Sequence, residues 1–127
     1  MLKYARKANP KKSVRAYGRN LRISTKSSVI VCKAITNTSI EKARKKLQNL
    51  ISEKDDLDGK YYTKCTKEIL GLLNTAESNA ESKGLEPEKM VVHASAHKGF
   101  SYRTPRRFKL ARRTGRMTNV QVVLEER

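Results

Sequence analysis

The chain has 127 residues, a hydrophobic fraction of 37% and a formal net charge of +17. This length predicts one domain with a modest core, and no apolar run is long enough to span a membrane as a helix. A charge this large opposes compaction by self-repulsion, which indicates a polyanionic partner: nucleic acid first and an anionic membrane surface second.

The positive charge is concentrated towards the two ends of the sequence. Residues 1–26 contain nine basic and no acidic residues, residues 27–90 contain eleven basic and ten acidic residues, and residues 91–127 contain nine basic and two acidic residues. We therefore expect a folded body with two basic contact surfaces. Residues 1–12 are interpreted as a basic N-terminal arm and residues 13–127 as a single domain.

The first predicted element is a strand. Apolar residues alternate from Ser13 to Ile23, and Gly18 interrupts the alternation, which predicts a strand with a bend or bulge at that glycine. The opposite face of this strand carries Arg15, Tyr17 and Arg19.

Two helices are predicted next. Ser24 or Ser27 is placed to cap a short helix that ends at Asn37. Its predicted inward residues are Val29, Ile30 and Ala34, with Val31 as a further candidate. A second amphipathic helix runs to Ile51, and the spacing of Thr38 and Glu41 predicts a capping box at its start.

The second half predicts a long helix and two strands. The acidic stretch 52–60 is expected to be a loop. A third helix follows from about Tyr62 to Lys83, with Gly84 placed as the residue that ends it. Alternating apolar residues then predict strands over 90–97 and 120–125.

Between these two strands, residues 103–116 read RTPRRFKLARRTGR, a strongly basic stretch with no acidic residue. A structureless loop over the whole of 98–117 is improbable inside a compact domain, so we expect an extended hairpin. About ten residues per strand at about 3.3 Å each gives a reach of about 30 Å. The predicted fold class is α+β: three helices packed on a small three-stranded antiparallel sheet, with a long protruding basic β-hairpin.

No catalytic or metal site is expected. On one strand, His93 and His97 would lie about 13 Å apart, too far to chelate one ion, and they are interpreted as exposed or hydrogen-bonded histidines. Cys32 and Cys65 are interpreted as buried thiols in a reducing compartment. The carboxylates of the loop 52–60 are interpreted as solvated, and no pair of carboxylates is placed for acid–base work. We expect neither enzymatic activity nor a cofactor.

The basic segments predict binding to folded RNA. Arginine outnumbers lysine in the hairpin, and its planar guanidinium suits bidentate phosphate contacts and stacking. Tyr102 and Phe108 add aromatic rings on which bases can stack. The predicted contacts of the body are Lys11, Lys12, Arg15, Arg19, Arg22 and Lys26. The predicted contacts of the hairpin are Lys98, Tyr102, Arg103, Arg106, Arg107, Phe108, Lys109, Arg112, Arg113 and Arg116. The alternatives are a free-standing RNA or DNA chaperone and, less favoured, a small nucleic-acid enzyme.

Three stretches resemble a known family. The sequence NTAESNAESKGLEPEKMVV (74–92), the HASAHKGF that follows it and GRNLRISTKSSVIVCKAI (18–35) are similar to the large-subunit ribosomal protein numbered twenty-two in the universal scheme and seventeen in the eukaryotic one. The resemblance is to the archaeal and eukaryotic type and extends from Tyr4 to Glu126.

This resemblance implies a fold of three helices on a small antiparallel sheet with a long β-hairpin. It implies a non-catalytic role in the architecture and assembly of the large subunit in cytoplasmic ribosomes. The hairpin would contact large-subunit rRNA and line the polypeptide exit tunnel. Its partners would be rRNA, neighbouring ribosomal proteins and the nascent polypeptide, with no membrane or homo-oligomer expected.

Two departures from the family pattern concern the hairpin and one loop. The elements Pro105-Arg106 and Gly115-Arg116 are separated by eight residues, so the family's hairpin tip does not align with a defined position. The insertion between the second and third helices is short, at about 52–60, and the return strand of the hairpin is several residues shorter.

Overall fold

The computed structural model describes residues 3–126, which form three α-helices and four strands in one antiparallel sheet. Met1, Leu2 and Arg127, which belong to the predicted arm and domain, lie outside the described residues. The elements in chain order are β1 (Ser13–Leu21), α1 (Thr25–Ile35), β2 (Thr38–Ser39), α2 (Ile40–Ile51), α3 (Thr63–Ser82), β3 (Met90–Arg103) and β4 (Thr114–Glu126), with a 3₁₀ turn at Pro87–Lys89 before β3. The α+β class is confirmed, and the sheet order is β1-β4-β3-β2.

The prediction of three strands is wrong, because a fourth strand precedes α2. Thr38 pairs with Val92 and Ser39 with Val91, which adds β2 to the free edge of β3. The predicted capping box is wrong for the same reason: Ser39, not Thr38, is the residue before α2, and no side chain caps that helix. The Thr38 hydroxyl instead donates to the carbonyl of Ile35 at 2.6 Å.

The core lies between one face of the sheet and the three helices. Alternation along the strands turns every second residue towards the helices. Most of these positions are buried in the body of the sheet, while Ala94 and Ala96 are partly buried. The largest completely buried side chains include Ile35, Leu47, Ile69, Leu73, Met90 and Leu124. The opposite face of the sheet, called the outer face below, carries the residues at the alternate positions.

The predicted inward face of α1 is wrong apart from Val31. The structure buries Val31, Cys32 and Ile35 together with the polar Ser28, while Val29 and Ile30 are only half-buried. Ser28 enters the core because its hydroxyl donates to the carbonyl of Ser24 at 2.7 Å, and a satisfied hydroxyl is cheap to bury. Ser24 is confirmed as the cap of α1.

The end of α3 is confirmed at the predicted glycine. Gly84 has a φ of +71°, and its N–H donates to the carbonyl of Glu81 at 2.9 Å, while Leu85 N–H donates to the carbonyl of Ala80 at 3.0 Å. This pair of bonds is the Schellman motif, which satisfies the last carbonyls of a helix. The helix begins at Thr63, one residue later than predicted.

The predicted irregularity of β1 is also confirmed. Pairing with β4 shifts register between Gly18 and Leu21, and Asn20 within this bulge has a φ of 51°. Gly18 itself faces the core, where a Cβ would lie 2.8 Å from methyl carbons of Leu21 and Leu72. The bulge therefore needs both a small residue facing the core and a residue that tolerates left-handed geometry.

Residues 3–12, called the N-terminal segment below, contact the outer face of the sheet. The side-chain amide of Gln121 accepts a hydrogen bond from Ala5 N–H and donates one to the carbonyl of Lys3, each 2.9 Å long. Arg6 forms an ion pair with Glu125 at 2.8 Å. Residues with no helix or strand pattern are thus held to β4 by side chains more than a hundred positions away.

Candidate nucleic-acid interface

Beyond the body of the sheet, β3 and β4 continue as a two-stranded unit. The last pair between β1 and β4 is Leu21 with Thr118. Past this point β3 and β4 still pair at Ser101–Arg116, Tyr102–Gly115 and Arg103–Thr114. Residues 98–117 are called the basic arm below, and residues 104–113, which join the two strands, are called the arm loop.

A cluster of amides fixes the base of the basic arm. Asn20 accepts a hydrogen bond from Phe100 N–H at 3.1 Å through its side-chain oxygen, and its own N–H donates to the side-chain oxygen of Asn119 at 2.8 Å. The register of β3 and β4 shifts here, between Lys98 and Ser101. A Cβ on Gly99 would lie 2.9 Å from the Asn20 side-chain oxygen, so a larger residue would displace the amide that accepts from Phe100. The bulge of β1 is thereby joined to the bulge of β3.

Within the arm, one cross-strand contact replaces a hydrophobic core. The ring of Tyr102 covers its partner Gly115 so closely that a Cβ on the glycine would overlap the ring. An aromatic side chain that shields a glycine on the neighbouring strand stabilises that pair and pins its register.

The arm loop has a defined backbone although it buries almost nothing. The Thr104 hydroxyl donates to the carbonyls of Leu110, at 2.6 Å, and Arg113, at 3.0 Å. The N–H groups of Leu110 and Ala111 both donate to the carbonyl of Arg107 at 2.8 Å. One turn of helix-like chain, closed by these bonds, presents the side chains of the loop to solvent.

The arm loop surrounds a concavity of about 810 Å³ with arginines. Its lining consists of Arg103, Thr104, Arg106, Ala111, Arg112, Arg113 and Thr114. Phe108, in the same loop, is 100% exposed. Four guanidinium groups around one concave surface give a strongly positive site for phosphate oxygens.

The structure places all sixteen predicted contact residues at the surface, in two groups. Every one of them is exposed, and among residues 3–126 none forms an ion pair with a carboxylate. The first group, on and around β1, comprises Lys11, Lys12, Arg15, Arg19, Arg22 and Lys26. The second, on the basic arm, comprises Lys98, Tyr102, Arg103, Arg106, Arg107, Phe108, Lys109, Arg112, Arg113 and Arg116. Their exposure is shown; what they bind stays a prediction.

The sequence interpretation missed two aromatic rings near these cations, one exposed and one partly buried. Phe100 at the base of the arm is 61% exposed. The guanidinium carbon of Arg15 lies 5.0 Å from the ring centroid of Tyr4. Alternation along β1 already put Tyr17 on the outer face. Alternation along β3 likewise puts His97 on the face opposite its apolar residues, but no sequence pattern brings Tyr4 there.

The candidate ligand residues for metals have other partners. His97 shares a hydrogen bond with the Asn119 amide at 3.3 Å, and His93 lies 3.6 Å from Glu125. Within the described part of the chain, no three His, Cys, Asp or Glu side chains are grouped so that they could hold a metal ion. Nor does any helix in residues 3–126 combine the length and apolarity needed to cross a membrane.

Comparison with known proteins decides the family. Residues 16–125 match the model of ribosomal protein L22p/L17e. The chain belongs to this family. The large ribosomal subunit protein uL22 of Methanocaldococcus jannaschii is 34% identical, over 98% of this chain and 95% of the relative. The uL22 proteins of Methanococcus maripaludis and Archaeoglobus fulgidus are each 34% identical, over 98% and 91% of this chain and 97% and 90% of the relatives.

Membership of the L22p/L17e family decides between two classes of function. Its members are structural ribosomal proteins, so this chain is a structural component and not an enzyme. The basic residues therefore have to be explained by binding rather than by catalysis.

Proposed function

We propose that this chain is a structural protein of the large ribosomal subunit, which binds large-subunit rRNA chiefly through the basic arm. The observation that carries the proposal is the arm itself. It has eight Lys and Arg side chains, no acidic residue and no buried core of its own. Such a segment gains little from folding in water and much from a polyanion that surrounds it.

The chemistry of the arm favours folded RNA. Arginine contacts phosphate in a bidentate fashion, and Tyr102, Phe108 and the guanidinium planes offer surfaces for unstacked bases. A narrow two-stranded unit enters the irregular grooves of folded RNA more readily than it reads a regular duplex. Each phosphate neutralised adds about −0.7 to −0.9 to the slope of log K against log salt, so the affinity should fall steeply with salt.

We infer that residues 98–117 act as an extended hairpin that lines part of the polypeptide exit tunnel. The N-terminal segment and β1 would hold the body against rRNA near the exit. The resemblance described above supports this placement, as does the name of the archaeal relatives, which are large-subunit proteins. Partners would then be rRNA, neighbouring ribosomal proteins and the nascent polypeptide, in cytoplasmic ribosomes, with no cofactor.

Co-sedimentation tests the assignment to the ribosome. In a sucrose gradient of a lysate, the protein is expected in large subunits and in complete ribosomes. A variant with Arg106, Arg107, Arg112 and Arg113 changed to Gln should be depleted from large subunits relative to a variant with Lys42, Lys45 and Lys64 changed to Gln. Recovery of the wild-type chain only at the top of the gradient would overturn the proposal and favour the free-standing chaperone.

A photo-crosslinking residue at Phe108 tests the tunnel placement separately. In ribosomes that carry an arrested nascent chain, the probe is expected to label large-subunit rRNA and the nascent chain. The same probe at Tyr61, an exposed residue between α2 and α3 and outside the arm, should label no nascent chain. Labelling of rRNA without labelling of the nascent chain would contradict the tunnel placement and would still support rRNA binding.

A further inference from the structure

Three aromatic rings form a continuous row on the outer face of the sheet. The centroids of Tyr4 and Tyr17 are 6.1 Å apart with the rings at 71°, and those of Tyr17 and His97 are 6.3 Å apart with the rings at 40°. Arg15 lies over the ring of Tyr4. The row therefore joins the N-terminal segment, β1 and β3 at the end of the sheet from which the basic arm leaves.

The pairing of the strands explains this row. Tyr17 of β1 lies opposite Gln121 of β4, and His97 of β3 lies opposite Asn119 of β4. The Asn119 side chain hydrogen-bonds the His97 ring, while Gln121 holds the backbone of the N-terminal segment and so brings Tyr4 to Tyr17. Two amides of β4 thus position rings on both sides of that strand.

The row is only partly covered. His97 is exposed and Tyr17 half-buried, so ring surface remains available to a ligand. The N-terminal segment covers Gln121 almost completely, leaving it 4% exposed. Rings that served only to pack this segment would be expected to be covered to the same extent.

The charge around the row has one sign. Arg15 and Arg19 lie on the same face and are exposed. Among the described outer-face positions of β1, β3 and β4, Glu125 is the one carboxylate. It is engaged by Arg6 and lies near His93, at the other end of the sheet. Rings flanked by unopposed arginines are complementary to a base with its phosphate.

We propose that Tyr4, Arg15, Tyr17, Arg19 and His97 form a stacking platform for an unpaired RNA nucleotide. The base stacks on Tyr17 and His97, and the adjoining phosphate contacts Arg19. Stacking on sheet-face aromatics suits unpaired RNA because every base presents a π-face. The platform rests on the proposed function, since it names a second rRNA contact, separate from the basic arm.

Fluorescence of a short single-stranded RNA that contains 2-aminopurine tests the platform on the full chain. Binding should quench the probe base as it stacks. His97→Ala and Tyr17→Leu should each weaken binding by about tenfold and reduce the quenching. Tyr61→Leu is the matched control, because Tyr61 is an exposed tyrosine outside both surfaces, at 41% exposure. Its quenching should equal that of the wild-type chain.

Arg19→Gln separates the phosphate contact from stacking. This substitution should reduce the slope of log K against log salt concentration by about one, while the quenching of 2-aminopurine at saturation remains. His97 is exposed, so its variant reports on binding without disturbing the core; thermal unfolding of Tyr17→Leu checks that variant. Unchanged affinity and quenching in His97→Ala would overturn the platform, as would loss of quenching in Phe108→Leu alone, which would place the base on the arm.

The two proposals fail in different ways. Absence of the wild-type chain from large subunits contradicts the proposed function, whatever the short RNA shows. Normal incorporation into large subunits, combined with identical quenching in the wild-type chain and the His97 variant, contradicts the platform alone.

Discussion

Two glycines of the α3 region show how the same residue has opposite energetic effects. Gly71 lies inside the helix and Gly84 just after it, and a Cβ at either position would have no neighbour within 4 Å. The difference is the backbone, because Gly84 has a φ of +71°. A side chain is strained in that left-handed region, whereas in a helix interior alanine is preferred to glycine.

We therefore expect Gly71→Ala to raise the free energy of unfolding by about 1 kcal/mol. Gly84→Ala should lower it by about 1 kcal/mol. Urea unfolding followed by circular dichroism measures both changes, and each variant serves as the control for the other because neither substitution creates a clash. Equal effects of the two substitutions would mean that Gly84 does not end the helix as described.

At the same scale, Cys32 links stability to pH. Burial, with a smaller contribution from Cys65, raises the pKa of the Cys32 thiol from 9.0 to about 12. In the unfolded chain the thiol loses its proton near pH 9, whereas in the folded chain it keeps it. The stability that it contributes is therefore fully present below about pH 9 and is lost as the pH rises towards 12.

Urea unfolding under reducing conditions tests this linkage. Between about pH 8 and about pH 10.5 the wild-type chain should lose about 2 kcal/mol more stability than Cys32→Ala does. The alanine variant corrects for the pH dependence of all other groups, which the two chains share. A parallel pH dependence of the two chains would show that the buried thiol does not contribute.

Among the larger elements, the arm loop is separable from the core. None of residues 104–113 is buried. Replacing them with Asn-Gly, which favours the tight turn of a two-residue hairpin, should preserve a single cooperative unfolding transition, with a Tm within a few degrees of the wild type. Differential scanning calorimetry measures this, and broad or absent unfolding would mean that the loop supports the body.

The same replacement predicts a change in RNA binding. It removes five basic residues, Arg106, Arg107, Lys109, Arg112 and Arg113. If all five contact phosphates, the salt dependence should weaken by about four in the log–log slope. Titration of a large-subunit rRNA fragment at several salt concentrations gives the slope. A variant that keeps the loop but carries Gln at the five positions should show the same slope as the Asn-Gly replacement. A slope equal to that of the wild-type chain would place the phosphate contacts elsewhere.

How much of each element the sequence predicts depends on the length of its pattern. The helix α3 and the strand patterns follow from long apolar periodicities, and Gly84 marks an end through its own chemistry. By contrast, β2 has two residues and no period to detect. The predicted inward face of α1 is wrong because Ser28, a polar residue, takes a core position on the same face as Val31 and Ile35. The register of the ladder from Ser101 to Arg103 is not predicted for a third reason: Tyr102 covers Gly115 on the partner strand, and alternation does not reveal that contact.

The candidate site divides in the same way. Lys and Arg are almost never buried without a partner, so the exposure of the fourteen predicted Lys and Arg residues follows from their type. The exposure of Tyr102 and Phe108 does not. The aromatic row does not follow from type or spacing, because Tyr4, Tyr17 and His97 meet only when β1 and β3 both pair with β4. To predict a contact between distant strands, the register of the sheet must be known. That register depends on several segments together and cannot be read from any one of them.

For the whole molecule, a net charge of +17 means that the isolated protein folds against its own repulsion. Salt screens this repulsion, so the Tm should rise by about 5 °C between about 20 mM and about 500 mM KCl, equivalent to about 1 kcal/mol. The chain with Asn-Gly in place of residues 104–113 has a net charge of 17 − 5 = +12. Because repulsion grows roughly as the square of the charge, its rise should be about half as large. Equal rises in the two chains would show that the arm loop lies too far from the other charges to oppose folding.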